Sequence, residues 1–131
     1  MERVNMQNCG DGIRRADNGS WGKGPVVKTV GGTINLKAGE TGTMFSNLGL
    51  GAALTFVLPP AKPGMWFTFL RSGNGTVAVK TLAGVTLGAA LAGKQMEAVT
   101  AGDFAALTVV AVSTTAWLVV GQSGTWAVNN T

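Results

Sequence analysis

Histidine and tyrosine are both absent from this 131-residue chain, and cysteine occurs once, as Cys9. Without histidine the chain lacks the side chain most used as a general base near neutral pH, which is also the commonest metal ligand. A lone thiol excludes an internal disulfide, and nothing near Cys9 has the spacing of a metal-ligand set. Charge is equally scarce: ten basic and six acidic residues make up 12% of the chain, against about 25% in an ordinary soluble domain. Three carboxylates, Glu40, Glu97 and Asp103, lie beyond the first 24 residues, each in or near a turn signal where backbone hydrogen bonding is the ordinary role of an acid. These absences predict a protein that is not an enzyme, with no catalytic residues, no cofactor, no metal and no small-molecule substrate.

A membrane span is excluded on similar grounds. Residues 104–121 run 18 positions without a charge, close to the length that crosses a bilayer. Ser113-Thr114-Thr115 interrupts them, however, and the flanks Leu107–Val112 and Trp117–Val120 are rich in β-branched and aromatic residues. Two strands joined by a tight turn account for that order better than a helix. The leading MERVNMQNCGDGIRR has no apolar stretch of the kind found in a secretory signal, so synthesis in a reducing cytoplasm is expected. Without export, the acceptor patterns at Asn18, Asn74 and Asn129 carry no weight.

What is present is apolar surface and glycine: 46% of residues are hydrophobic and 20 are Gly. A surface so poor in charge favours association with copies of itself or with a larger assembly; the alternative is a monomer covered in Thr, Ser and Gly. The net charge is +4, with Arg3, Arg14, Arg15, Lys23, Lys28 and Lys37 set against Glu2, Asp11 and Asp17 in the leading segment. These charges are scattered rather than stacked, which suits protein contact more than nucleic acid. Among the later residues only Arg71 and Lys80 approach the basic-aromatic interleaving of a nucleic-acid reader.

Residues 1–24 contain Gly10, Gly12, Gly19, Gly22 and Gly24 and have no periodicity of either kind. They read as an extended amino-terminal arm, either held by a neighbouring subunit or frayed. Ile13, Arg14, Arg15 and Trp21 are its candidate assembly residues, with Trp126 at the far end of the chain.

From Pro25 onward, turn signals recur about every eight to twelve residues, the rhythm of an antiparallel sandwich or jelly-roll-like barrel. Segments 26–30, 33–37, 43–47, 53–58, 65–70, 76–81 and 94–100 read as strands, together with the pair from Leu107 to Val120. Leu54, Phe56 and Leu58 share one face by the two-residue repeat, as do Met65, Phe67 and Phe69. Pro59, Pro60 and Pro63 lack the amide hydrogen that a ladder needs and so make a rigid corner. Asn74-Gly75 is a hairpin-turn signal between 65–70 and 76–81. Residues 84–93 read as either a looped strand or one short helical turn, and 122–131 as a tail. The expectation is an all-β single domain over residues 25–131, with about 8–10 short antiparallel strands.

Met44-Phe45-Ser46-Asn47, the corner Leu58-Pro59-Pro60-Ala61-Lys62-Pro63-Gly64 and the strand Phe67-Thr68-Phe69 follow one another in an order that resembles structural proteins of tailed-bacteriophage virions. The resemblance spans roughly residues 32–126, including Gly121, Gly124 and Trp126. It implies a capsid decoration (cement) protein: a homotrimer on the outside of the major capsid protein shell, which it stabilises. Tail fibre, spike or tip modules are similar in the same corner. A carbohydrate-binding β-sandwich, presenting Trp66 and Trp126 to sugars, is the alternative from another class.

Overall fold

The computed structural model describes residues 24–100 and 104–131. Among them the chain forms eleven strands and one 3-10 turn. The order is β1 (Val26–Val27), β2 (Gly32–Asn35), the turn Ala38–Glu40, β3 (Met44–Ser46), β4 (Leu54–Val57), β5 (Trp66–Arg71) and β6 (Val77–Lys80). There follow β7 (Thr86–Leu87), β8 (Gln95–Ala98), β9 (Ala105–Ala111), β10 (Ala116–Ser123) and β11 (Ala127–Asn129). The all-β expectation holds, with one strand more than the upper end of the expected number.

Six strands form one sheet in the order β1-β3-β5-β9-β10-β7, and five form the other in the order β11-β8-β6-β4-β2. Both sheets are mixed, which corrects the expectation of antiparallel pairing. Strands β1, β3 and β5 run parallel to one another, as do β2, β4 and β6. The antiparallel pairs are β5 with β9, β9 with β10, β6 with β8 and β8 with β11. Up to β6 the chain places successive strands in opposite sheets, so each strand's partner lies two elements along. Parallel neighbours need a long crossover between them; here the crossover contains the strand of the facing sheet.

That winding has a period. Gly32 pairs with Leu54 and Leu54 with Val77, steps of 22 and 23 residues. Ile34, Phe56 and Val79 are thereby stacked in one inward row, continued across the sheet by Met96 and Val128. Alternation fixes which side is buried: Leu54, Phe56, Val77 and Val79 from one sheet, and Phe45, Phe67, Phe69, Leu107 and Val109 from the other, are all within 1% of full burial. The two inner faces meet at Phe56, whose ring centroid lies 5.1 Å from that of Phe45 and 5.0 Å from that of Phe69. Each such ring contributes about 1.5–3 kcal/mol through burial.

The corner after β4 behaves as its prolines require. Leu58 donates its amide to Lys80 O at 2.8 Å, then no ladder bond forms until Gly64, with φ +94°, donates to Ala111 O at 3.0 Å. Asn74-Gly75 is not a hairpin, since β5 and β6 belong to different sheets. Residues 72–76 instead carry the chain across the end of the core. A Cβ on Gly73 or Gly75 would overlap the carbonyl oxygens of Asn47 or Ala52, so these glycines are set by close approach of backbone to backbone.

Asn47, fully buried, clamps that link: Oδ1 accepts from Ser72 N at 2.8 Å and Gly73 N at 2.9 Å, and Nδ2 donates to Gly75 O at 3.1 Å. Arg71, 1% exposed, closes the same end by donating to the carbonyls of Gly75, Asn74 and Thr100. Residues 84–93 contain the two-residue strand β7 and a bridge between Leu87 and Ala90, not a helical turn. The expected tail is also replaced: β10 extends to Ser123, and β11 pairs with β8.

Candidate functional site

The outward-facing positions of the six-stranded sheet form three cross-strand rows. The first holds Trp66, Val110 and Leu118. Met44, Thr68, Thr108 and Gly121 make the second, and Ser46, Leu70, Ala106 and Ser123 the third. No charged side chain stands in any row. Trp66 is 43% exposed, Leu118 51% and Met44 37%. A shift in register between Thr108 and Val109 leaves Val120 as a bulge, 55% exposed beside the first row.

The polar atoms inside this face already have partners within the chain. Thr68 Oγ1 and Thr108 Oγ1 are 2.9 Å apart and share a hydrogen bond, and Ser46 Oγ and Ser72 Oγ are paired at 2.7 Å. Burying the face against another surface would therefore orphan neither pair, and it is the orphaned polar group that makes burial costly. At one end of the face a recess of about 200 Å³ lies among Leu70, Arg71, Ala106, Ser123 and the 75%-exposed Phe104.

The outward face of the five-stranded sheet has another character. One row is Thr33, Thr55, Ala78, Glu97 and Ala127, and the next is Asn35, Val57, Lys80, Gln95 and Asn129. Charges of both signs and three amides stand among them, and Gln95 Nε2 reaches Glu97 Oε2 at 3.4 Å. This is the composition of a surface made for water.

Of the expected assembly residues, Ile13, Arg14, Arg15 and Trp21 lie outside the described residues. Trp126 is 7% exposed, packed in the core of its own chain, and its indole N–H donates to Ala106 O at 3.0 Å and Ser123 O at 3.2 Å. Of the two tryptophans that a sugar platform would use, only Trp66 is exposed. Arg71 is buried in backbone carbonyls, so it is not placed to read nucleic acid.

The acids are likewise accounted for locally. Glu40 accepts the Lys37 amide at 2.9 Å at the start of the 3-10 turn, Glu97 lies on β8 in the other sheet, and Asp103 is outside the described residues. A groove of about 480 Å³ lies between Lys80 and Lys94 and contains no carboxylate; the hydroxyl of Thr81 there is engaged by Val85 O at 2.6 Å. Among the described residues no group of three acidic or thiol side chains could hold a metal ion, and no helix is long and apolar enough to cross a membrane.

One local signal of this surface stands in the sequence: Trp66, Thr68 and Leu70 alternate with Met65, Phe67 and Phe69, so neither side of that strand carries a charge. What sequence reading missed was its extent, because Met44, Thr108, Leu118 and Gly121 become neighbours only through register. No protein-family model matches the chain, and no curated protein sequence matches it significantly.

Proposed function

We propose that this chain is a structural protein of a tailed-bacteriophage virion, a capsid decoration protein that binds the outside of the major capsid protein shell as a homotrimer and stabilises it. In this reading the two sheets are the layers of a β-sandwich, and the protein works by binding, with no bond made or broken. The observation that carries the proposal is the uncharged outward face of the six-stranded sheet, set against a charged and amide-bearing face on the other side. Apolar surface of this kind is removed from water by protein partners, contributing about 25 cal/mol per Å² before ordering costs are subtracted. The order of the Phe45-Ser46-Asn47, Pro59–Gly64 and Phe67–Phe69 segments supplies the virion part of the reading.

A symmetric ring of subunits engages a symmetric shell at several points at once, so modest contacts add to a stable attachment. Electrophoresis of purified particles with densitometry near 13.3 kDa tests the assignment. Hundreds of copies per particle, together with loss of heat resistance when the protein is stripped, are expected. A few copies would assign it to the tail, and absence from the particle would overturn the virion reading.

A further inference from the structure

Asn74-Gly75 has the sequence of a hairpin turn and makes none. The same dipeptide has a second chemistry. Glycine has no side chain to shield its amide nitrogen, so that nitrogen can reach the carboxamide carbon of the asparagine before it and close a five-membered ring. Asn74 is exposed, so water and base have access to its carboxamide.

The hydrogen bonds of the link oppose that ring closure. Gly75 is buried, and its N–H donates to Leu50 O at 3.0 Å. The peptide group that would have to turn is held at its other end as well, because Asn74 O accepts from Arg71 Nη2 at 2.7 Å. The next carbonyl, Gly75 O, accepts from Arg71 Nε at 2.8 Å and from Asn47 Nδ2 at 3.1 Å. Leu50, Arg71 and Asn47 thus fix the attacking nitrogen and both carbonyls beside it, and Asn47 and Arg71 are themselves buried.

We propose that Asn74 is a gated deamidation site: the closed link withholds the Gly75 nitrogen, reaction occurs only while the link is open, and a link that has become isoaspartyl does not close again. In the open link the Gly75 nitrogen gives its proton to a solvent base and bonds to Asn74 Cγ. The bond from Cγ to Nδ2 breaks, and the leaving nitrogen takes a proton and departs as ammonia. Water then adds to one of the two ring carbonyls and breaks its bond to nitrogen, leaving aspartate or isoaspartate at position 74, with nothing oxidised or reduced. Isoaspartate routes the main chain through the side chain and adds one carbon to the backbone. The link has no room for it, since even a Cβ on Gly75 would overlap Ala52 O and one on Gly73 would overlap Asn47 O. Asn47 and Arg71 therefore protect the chemistry of the chain along with its shape, whatever the chain binds.

Local opening is an equilibrium, so the rate in the folded chain is the rate in the unfolded chain scaled by the fraction of time the link is open. The full chain is incubated in mildly alkaline buffer, folded or unfolded in guanidinium chloride, and then digested with trypsin. The fragment 72–80 contains Asn74 and no other asparagine or glutamine, so its mass and its chromatographic isomers report this site alone. Conversion is expected to be slower in the folded chain by about 30-fold or more. Asn47→Ala is expected to raise the folded rate by about ten-fold and to leave the unfolded rate unchanged.

Chains converted while unfolded are then refolded and given a short pulse of trypsin without denaturant. Those with isoaspartate at position 74 are expected to be cut after Arg71, a bond that chains retaining Asn74 keep because Arg71 is 1% exposed. Equal rates of conversion in the folded and unfolded chain overturn the gate, whether or not the variant folds. A folded Asn47→Ala chain that reacts no faster than the wild type overturns the part assigned to the clamp, and refolded isoaspartyl chains as resistant as the asparaginyl ones overturn the one-way step.

Discussion

The two outward faces of this molecule are built on the same pleat and over the same core, yet one carries Lys80, Glu97, Asn35, Gln95 and Asn129 while no charged residue stands in the cross-strand rows of the other. The fold needs neither composition, since strand alternation is satisfied as soon as the inner face is apolar. An outward face without charge is what the proposed binding role requires. The same comparison separates the glycines: those of the 72–76 link are required by close backbone contacts, whereas Gly121 adjoins the bulge at Val120.

The most severe way to disturb the comparison is to remove the core that both faces share. Phe56→Ala, at the point where the rings of Phe45 and Phe69 meet, should cost about 3–5 kcal/mol in urea unfolding and loosen both sheets together. Melting of one sheet alone would show that the faces do not depend on a common core.

A smaller effect is expected at the link between the sheets. Gly75→Ala must displace the Ala52 carbonyl and strain the Asn47 clamp, a cost of about 2–3 kcal/mol read as a lowered denaturant midpoint. No change would mean that the link is loose and that the sheets are held by side-chain packing only.

The finest test sets one hydroxyl on each face against the other. Thr108→Val leaves the Thr68 hydroxyl without its partner and should lower stability by about 1 kcal/mol, whereas Thr55→Val on the polar face should change it by less than about 0.5 kcal/mol. Equal effects would remove the claim that the polar atoms of the apolar face are satisfied from within.

Much of the fold is legible before any coordinates. Leu54, Phe56 and Leu58 alternate inward as the two-residue repeat demands, the prolines at 59, 60 and 63 mark a true break in the ladder, and residues 105–123 form the hairpin read from their β-branched flanks. Pairing direction was not legible, and Asn74-Gly75 shows why. A turn-forming dipeptide reports that the chain bends, and a bend serves equally to return along the same sheet or to cross to the facing one. Here it crosses, and Asn47 and Arg71 satisfy the backbone groups of the crossing link. Trp126 failed as an expected surface anchor for a related reason: its indole finds carbonyl partners at Ala106 and Ser123 only once β9 and β10 are paired.

By itself the sequence determined that strands would form, where they would break and which side of each would be buried, because those properties depend on residues one, two or three positions apart. The tertiary structure alone decided that neighbours run parallel at intervals of 22 and 23 residues, and that Trp66, Thr108, Leu118 and Gly121 come together on one uncharged surface. Contacts between residues far apart in the chain are chosen by the joint packing of two sheets, and no local pattern encodes that choice.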